Sequence, residues 1–277
     1  MKDTISKISE LLGKQPEGFN RLLLSDLEAR NVWKKQVNHI FHYTPKWDYL
    51  KGIINEGFYP SYSEEVFSEN EKIYIAMVSF CNIAIAQTND YLRYGKFGIG
   101  LSIEWALINN INPVHYFHDQ SIFKKLYNQV SGLILNNLEE LKAVEGIDEI
   151  YSLNRMMFKL IKNMSVDFDG LLINAYQERE WRYLPHIDAL EKDKNPDILI
   201  EYEHQHDALI LNRKNDQKLF EPLKFDLSDI KYLLVPDDQY RNQLVDCLSN
   251  KFGAKSLKEH LTSGLLILTS EQLALDF

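Results

Sequence analysis

The chain is short of several things, and each shortage excludes a class of protein. It has two cysteines in 277 residues, Cys81 and Cys247, far apart in sequence. They form neither a disulfide framework nor a metal knuckle, so a reducing cytoplasm is the expected compartment. No apolar run reaches the roughly 18 residues that a membrane span needs, and Met1–Lys7 leads into a charged stretch without the apolar region of a signal peptide. Glycine and proline number only 12 and 8, too few for a fibrous or low-complexity chain. Basic residues are outnumbered, 31 Lys and Arg against 40 Asp and Glu, for a net charge of −9. General nucleic-acid binding, which needs basic stripes to displace counterions, is not expected.

Several chemical signatures are also missing. Gly98-x-Gly100 lacks the third glycine of a dinucleotide loop, and there is no Walker loop. No Gly-x-Ser-x-Gly elbow occurs. Cys81 has no histidine or base near it in sequence to make a thiolate. The close histidine pairs are His115 with His118 and His204 with His206, the latter flanked by Glu201, Glu203 and Asp207. They read as polar surface, and no metal site is expected.

What is present is a large apolar fraction, 45%, with 12% aromatic residues. That suffices for one sizeable α+β domain over 1–277 and supplies walls for flat ligands. Residues 3–13 and 18–30 carry helical spacing and read as an N-terminal helical cap over 1–30. A strand over 37–44 ends in His42-Tyr43-Thr44. Pro45 then opens a helix that stops at Gly57. Residues 60–72, rich in glutamate and serine, read as an acidic loop. The apolar run 73–81 is a buried strand containing Ser79. A helix is expected over 83–94, a strand over 96–102, a short helix over 104–109 and a strand over 113–117. Two helical stripes mark 119–164 as a helical insertion. Strands return at 170–174, 198–202, 208–211, 230–236 and 264–268, with a helix over 238–252.

One stretch concentrates charge and aromatics, Tyr176-Gln177-Glu178-Arg179-Glu180-Trp181-Arg182-Tyr183-Leu184-Pro185. As a strand it would put Glu178, Glu180 and Arg182 on one face. Two carboxylates so placed repel unless a cation or a substrate separates them. The stretch is then either a solvated edge or one wall of a polar cleft. Read with His42-Tyr43-Thr44 at a strand end, a shared cleft is the better account. Arg179 and Trp181 would pack on the opposite face.

The ordered set His42-Tyr43-Thr44, Asn55-Glu56-Gly57-Phe58, Val78-Ser79-Phe80-Cys81, Tyr94-Gly95-x-x-Gly98-Ile99-Gly100-Leu101 and Glu178-Arg179-Glu180-Trp181-Arg182-Tyr183 resembles the AbiGi family of abortive-infection phage-resistance proteins. The resemblance implies a role in bacterial defence, in a two-gene arrangement where this member is the antitoxin-like one, so a cognate toxin or antitoxin partner is implied. More loosely, His42-Tyr43-Thr44 followed by Leu50-x-x-Ile53-x-x-x-Gly57 resembles the opening of ADP-ribosyltransferases of the DarT and RNA 2′-phosphotransferase kind. That likeness implies a mixed, mostly antiparallel sheet of ADP-ribosyltransferase type, with NAD as co-substrate and a macromolecular acceptor. It places Glu180 as the catalytic carboxylate and Glu178 as the substrate-activating one. His42 would touch the ribose and Tyr43 would lie near the nicotinamide, with Thr44 also counted among the NAD-binding residues and Ser79 on the supporting strand.

Overall fold

The computed structural model describes residues 37–68, 71–87, 94–136, 157–168, 171–185, 199–201 and 220–276. The expected helices within 1–30, the strand at 208–211 and the His204–His206 pair lie outside these residues.

Thirteen strands are described. In chain order they are β1 (His39–Thr44), β2 (Ser61–Ser68), β3 (Glu71–Cys81), β4 (Phe97–Ser102), β5 (Asn112–Pro113), β6 (His115–Phe117) and β7 (Ile161–Asn163). Then follow β8 (Ser165–Phe168), β9 (Leu171–Asn174), β10 (Glu180–Tyr183), β11 (Leu199–Glu201), β12 (Ile230–Val235) and β13 (Leu266–Thr269). The helices are α1 (Trp47–Glu56), α2 (Ile103–Ile108), α3 (Ile122–Asn136), α4 (Asp238–Phe252), α5 (Ala254–Ser263) and α6 (Ser270–Asp276).

The described residues divide between two compact units. The smaller includes 117–136 and 157–161. Its helix α3 buries Tyr127, whose ring meets Phe158 edge-on at 4.3 Å and stacks on Phe123 at 6.4 Å. The larger, 37–116 with 162–276, holds the main sheet in the order β13-β12-β4-β1-β3-β10-β5, with β2 and β11 also on β3. β12 and β13 run parallel, whereas the other registered neighbours are antiparallel. The fold is therefore α+β with a mixed, mostly antiparallel sheet.

β3 changes partners along its length. Its first half pairs with β2 and β11, while Val78–Cys81 pairs with β10. β1 touches β3 at a single registered position, Phe41 opposite Cys81. The sheet thus forks beside Ser79.

The two faces of this sheet differ. One carries the main core, where Ile40, Val78, Phe80, Ile99, Leu101 and Leu233 pack against Leu50 and Ile54 of α1, Leu244 and Leu248 of α4 and Leu257 of α5. Each such buried side chain contributes about 1.5–3 kcal/mol. The other face holds a smaller cluster of Phe41, Tyr43, Ile83, Leu234 and Leu273. Gly100 makes that second face possible, because a Cβ there would lie 2.7 Å from Cε1 of Phe41. The aromatic ring lies over a glycine that no larger residue could replace without displacing it.

Four sequence expectations change. The acidic loop at 60–72 is mostly strand β2, whose ladder with β3 runs from Ser61 opposite Met77 to Ser68 opposite Glu71. Its buried glutamate, Glu65, is tolerated because its partner Arg182 comes from 117 positions away. Of the helix expected at 83–94, the described residues show 3-10 structure at 85–87 and at Tyr94, and 88–93 lie outside them. The helical insertion does not extend through 164, since Ile161–Asn163 is β7. Within Tyr176–Pro185 the strand begins only at Glu180, because Ala175–Glu178 is a 3-10 turn ending at left-handed Arg179 with φ 46°.

Candidate functional site

β10 builds the centre of the site. Directly opposed residues of an antiparallel pair share a face. Glu180 lies opposite Cys81, and Arg182 opposite Ser79. Cys81 in turn lies opposite Phe41, so Glu180 and Arg182 project on the face of the smaller aromatic cluster. Glu178 reaches the same place by another route. Asn174 accepts from Tyr176 N–H at 3.2 Å and caps the 3-10 turn. The left-handed Arg179 then reverses the backbone and leaves Glu178 beside Glu180. Strand alternation alone does not place the pair. Arg179 itself is exposed, and Trp181 packs against the main core on the opposite face.

The carboxylate of Glu180 is only 4% exposed and holds four donor contacts. Oε1 accepts from Ser79 Oγ at 2.8 Å and from Arg182 Nε at 2.8 Å. Oε2 accepts from Lys162 Nζ at 2.8 Å and from Arg182 Nη2 at 3.2 Å. Its own N–H donates to Tyr116 Oη at 2.8 Å. Lys162 bridges the pair, its Nζ standing 3.4 Å from Oε2 of Glu178. Tyr94 Oη donates to the other oxygen of Glu178. Arg182, fully buried, also donates to Glu65 of β2.

These groups set one another's charge. Burial alone would raise the pKa of Glu180, but the Arg182 and Lys162 cations pull harder and hold it down at about 2. Burial would lower the pKa values of Lys162 and Arg182, and the surrounding carboxylates reverse this and keep both charged. For Glu65 burial prevails over the attraction of Arg182 and Lys162, and its pKa is raised. Burial also raises Tyr116. Three carboxylates, Glu65, Glu178 and Glu180, face two cations. One negative charge is in excess when all are ionised, and Glu65 is the group best suited to carry the compensating proton.

The other predicted residues fall in distinct places. Ser79 is in the centre. His42 is on the opposite face of β1, with its ring against Phe58 at 5.2 Å and Phe80 at 5.8 Å. Its Nδ1 lies 2.9 Å from the Ser79 carbonyl. A carbonyl can only accept, so Nδ1 carries the proton and His42 ties the fork together at Ser79. Burial, only partly offset by this bond, lowers its pKa and favours the neutral ring. Tyr43 lies on the same face as Glu180, its ring 5.8 Å from that of Phe41. Thr44 is buried at the end of β1 under Gly95, where a Cβ would come within 2.2 Å of its carbonyl.

Sequence reasoning missed Glu65, Tyr94, Tyr116 and Lys162. No local pattern singles out Lys162, which lies in Lys159-Leu160-Ile161-Lys162-Asn163 beside a second lysine. An open cleft of about 900 Å³, lined by Tyr59, Trp105, Lys224, Phe225, Asp229 and Lys251 among others, includes none of the predicted residues. Among the described residues no group of three or more His, Cys, Asp or Glu could hold a metal ion, and no helix is long and apolar enough to cross a membrane.

A family model described as "Putative abortive phage resistance protein AbiGi, antitoxin" matches residues 56–236, a span that contains Glu65, Ser79, Lys162, Glu178, Glu180 and Arg182. The chain is also 26% identical over 245 residues to the abortive phage resistance protein AbiGi of Lactococcus lactis subsp. cremoris, covering 76% of this chain and 94% of that protein. Neither description names an enzymatic activity. No solved structure matches significantly. With the matched segment spanning most of the sheet and the whole buried glutamate centre, this chain belongs to the AbiGi family of abortive phage resistance proteins.

Proposed function

We propose that the protein acts in abortive phage resistance as an ADP-ribosyltransferase-like enzyme, with Glu180 and Glu178 as its working carboxylates and NAD as its co-substrate. The observation that carries this reading is the convergence of Ser79 and Glu180. They lie 101 positions apart, are joined by a 2.8 Å hydrogen bond, and have Glu178 beside them across Lys162. Cleavage of the nicotinamide–ribose bond builds positive charge on the ribose. A carboxylate held ionised and oriented stabilises such charge where it develops. Ser79 and Tyr43 share the face of Glu180 and are the residues we assign to the co-substrate. His42 and Thr44 act from the other face, holding the strand ends on which those residues sit.

A second reading has its own observation. Both oxygens of Glu180 are already occupied, by Ser79, Lys162 and Arg182. A carboxylate so fully engaged suits a structural hub, and the family description includes the word antitoxin. In that reading the protein binds a toxin partner and performs no chemistry.

Labelled NAD separates the two. The pure protein is incubated with labelled NAD and cell lysate, beside Glu180→Gln and Glu178→Gln. The enzyme reading expects transfer by the wild type, loss in Glu180→Gln and a strong reduction in Glu178→Gln. Full transfer by Glu180→Gln would overturn the assignment. No transfer, with no NAD-induced thermal shift, would favour the binding module.

A further inference from the structure

Strand alternation sends the neighbouring glutamates of β2 to opposite faces. Glu64 accepts from Tyr74 Oη at 2.7 Å. Glu65 turns the other way, is only 6% exposed, and meets the guanidinium of the fully buried Arg182. Both residues lie in the larger unit, as do Ser79, Lys162, Glu178 and Glu180. The hydrogens of Arg182 are shared out in a definite way. Nε and Nη2 form a side-on fork over Glu180, at 2.8 Å to Oε1 and 3.2 Å to Oε2. Nη2 also donates to Oε1 of Glu65. An Nη2 carries two hydrogens, so one faces each carboxyl. Glu65 thus fixes the rotation of the guanidinium plane that carries the fork.

Sharing one nitrogen also brings Glu65 and Glu180 close to each other. Two ionised carboxyls so placed repel, and a proton on one of them removes the repulsion. Glu180 is the worse place for that proton, because Ser79, Lys162 and Arg182 all donate to its two oxygens. Among the described residues the Glu65 carboxyl has one donor, Arg182. The charges acting on Glu65 are Arg182 of β10 and Lys162 of β7, opposed by Glu180 and by Glu178 of the preceding turn. Burial outweighs the two cations and raises its pKa, which agrees with the contacts. With Glu65 neutral, two cations face the two remaining carboxyls.

We propose that Glu65 is a positioning residue of the glutamate centre: as a neutral carboxylic acid it accepts from Arg182 and so holds the guanidinium fork on Glu180. This rests on Glu180 being the working carboxylate but not on the identity of the co-substrate. Glu65 acts through Arg182. An ionised Glu65 would instead compete with Glu180 for the same guanidinium, so the acid form is what lets a second carboxyl serve as a strut without loosening the first.

The test uses the full chain and needs no ligand. Glu65→Gln mimics the neutral acid, with a carbonyl oxygen for Arg182 and an NH2 in place of the O–H. Glu65→Leu removes the acceptor. At pH 7 the infrared spectrum of the wild type should contain the carbonyl stretch of a protonated carboxylic acid, and Glu65→Gln should lack it. Absence of that band from the wild type, or its persistence in Glu65→Gln, would overturn the neutral state. Urea unfolding gives the same answer as a sign. A raised carboxyl contributes fully below its unfolded value, 4.5, and loses that contribution as the pH rises. The urea midpoint of Glu65→Gln should therefore climb relative to wild type from pH 4.5 to pH 7, and a relative fall would overturn the neutral state. Hydrogen exchange at Arg182 Nε–H, followed by 15N NMR, reads the fork itself. It should stay within about twofold of the wild type in Glu65→Gln and accelerate at least about tenfold in Glu65→Leu. Smaller acceleration in Glu65→Leu, or equal acceleration in both variants, would overturn the positioning role. If Glu65→Leu does not fold, Glu65→Ala removes the same acceptor and is read in the same way. No arm uses NAD, so a negative transfer assay leaves these outcomes intact and the two proposals fail separately.

Discussion

Replacing Glu180 by Gln should leave a stability deficit that depends on pH in a defined way. The folded protein holds Glu180 at about 2, against an ordinary 4.5. The difference corresponds to roughly 3 kcal/mol of stability at neutral pH. The sign follows from the direction of the shift. A depressed carboxyl contributes fully above its unfolded pKa, and the contribution is lost as the pH falls through the folded value. Nearly all of it should therefore persist at about pH 5, with about half left near pH 3. Gln keeps the shape but puts an NH2 where both oxygens now accept, facing Lys162 or Arg182, which are themselves donors. The deficit at pH 7 should thus be at least about 3 kcal/mol. Equilibrium urea unfolding of wild type and variant between pH 7 and pH 3 gives the difference, in which groups remote from the cluster cancel. A difference that stays constant within about 0.5 kcal/mol across that range would refute the account of Glu180 as an ionised, cation-held carboxylate.

Other perturbations follow from the same geometry. Arg182→Met strands Glu180 and Glu65 with Lys162 as the remaining cation, and should cost about 3–5 kcal/mol in chemical denaturation. Arg179→Gly relieves a left-handed residue at φ 46° on an exposed turn, and should be neutral or stabilising by up to about 1 kcal/mol in thermal unfolding. Gly100→Ala places a Cβ 2.7 Å from the Phe41 ring, and should destabilise by about 1–3 kcal/mol in urea unfolding. Phe58→Ala removes a ring packed against His42, Phe80, Trp105 and Phe225. It should cost about 3–5 kcal/mol, with no pH dependence of the kind expected for Glu180→Gln.

Much of the larger unit is legible in the amino-acid sequence. The strand ending at Thr44, the helix stopped by Gly57 and the buried strand through Ser79 all follow from local pattern, because apolar spacing and helix-stop chemistry act within a few residues. The glycines of β4 signal a close approach, realised at Phe41. The acidic character of 60–72 misleads because a polar strand and a polar loop look alike until a partner is known. The stretch at 176–185 misleads in another way. A left-handed Arg179 is an uncommon choice that no local pattern signals.

Side-chain periodicity and the chemistry of neighbouring residues are enough to mark the segments that bury, the α+β class and Ser79, Glu178 and Glu180 as candidates. Tertiary packing alone settles which face His42 occupies, and that Glu65, Lys162, Tyr94 and Tyr116 join Arg182 in enclosing the glutamates. The reason is electrostatic. A buried carboxylate is tolerable only beside a cation, and here the cations meet their carboxylates across as many as 117 positions, a distance no local pattern spans.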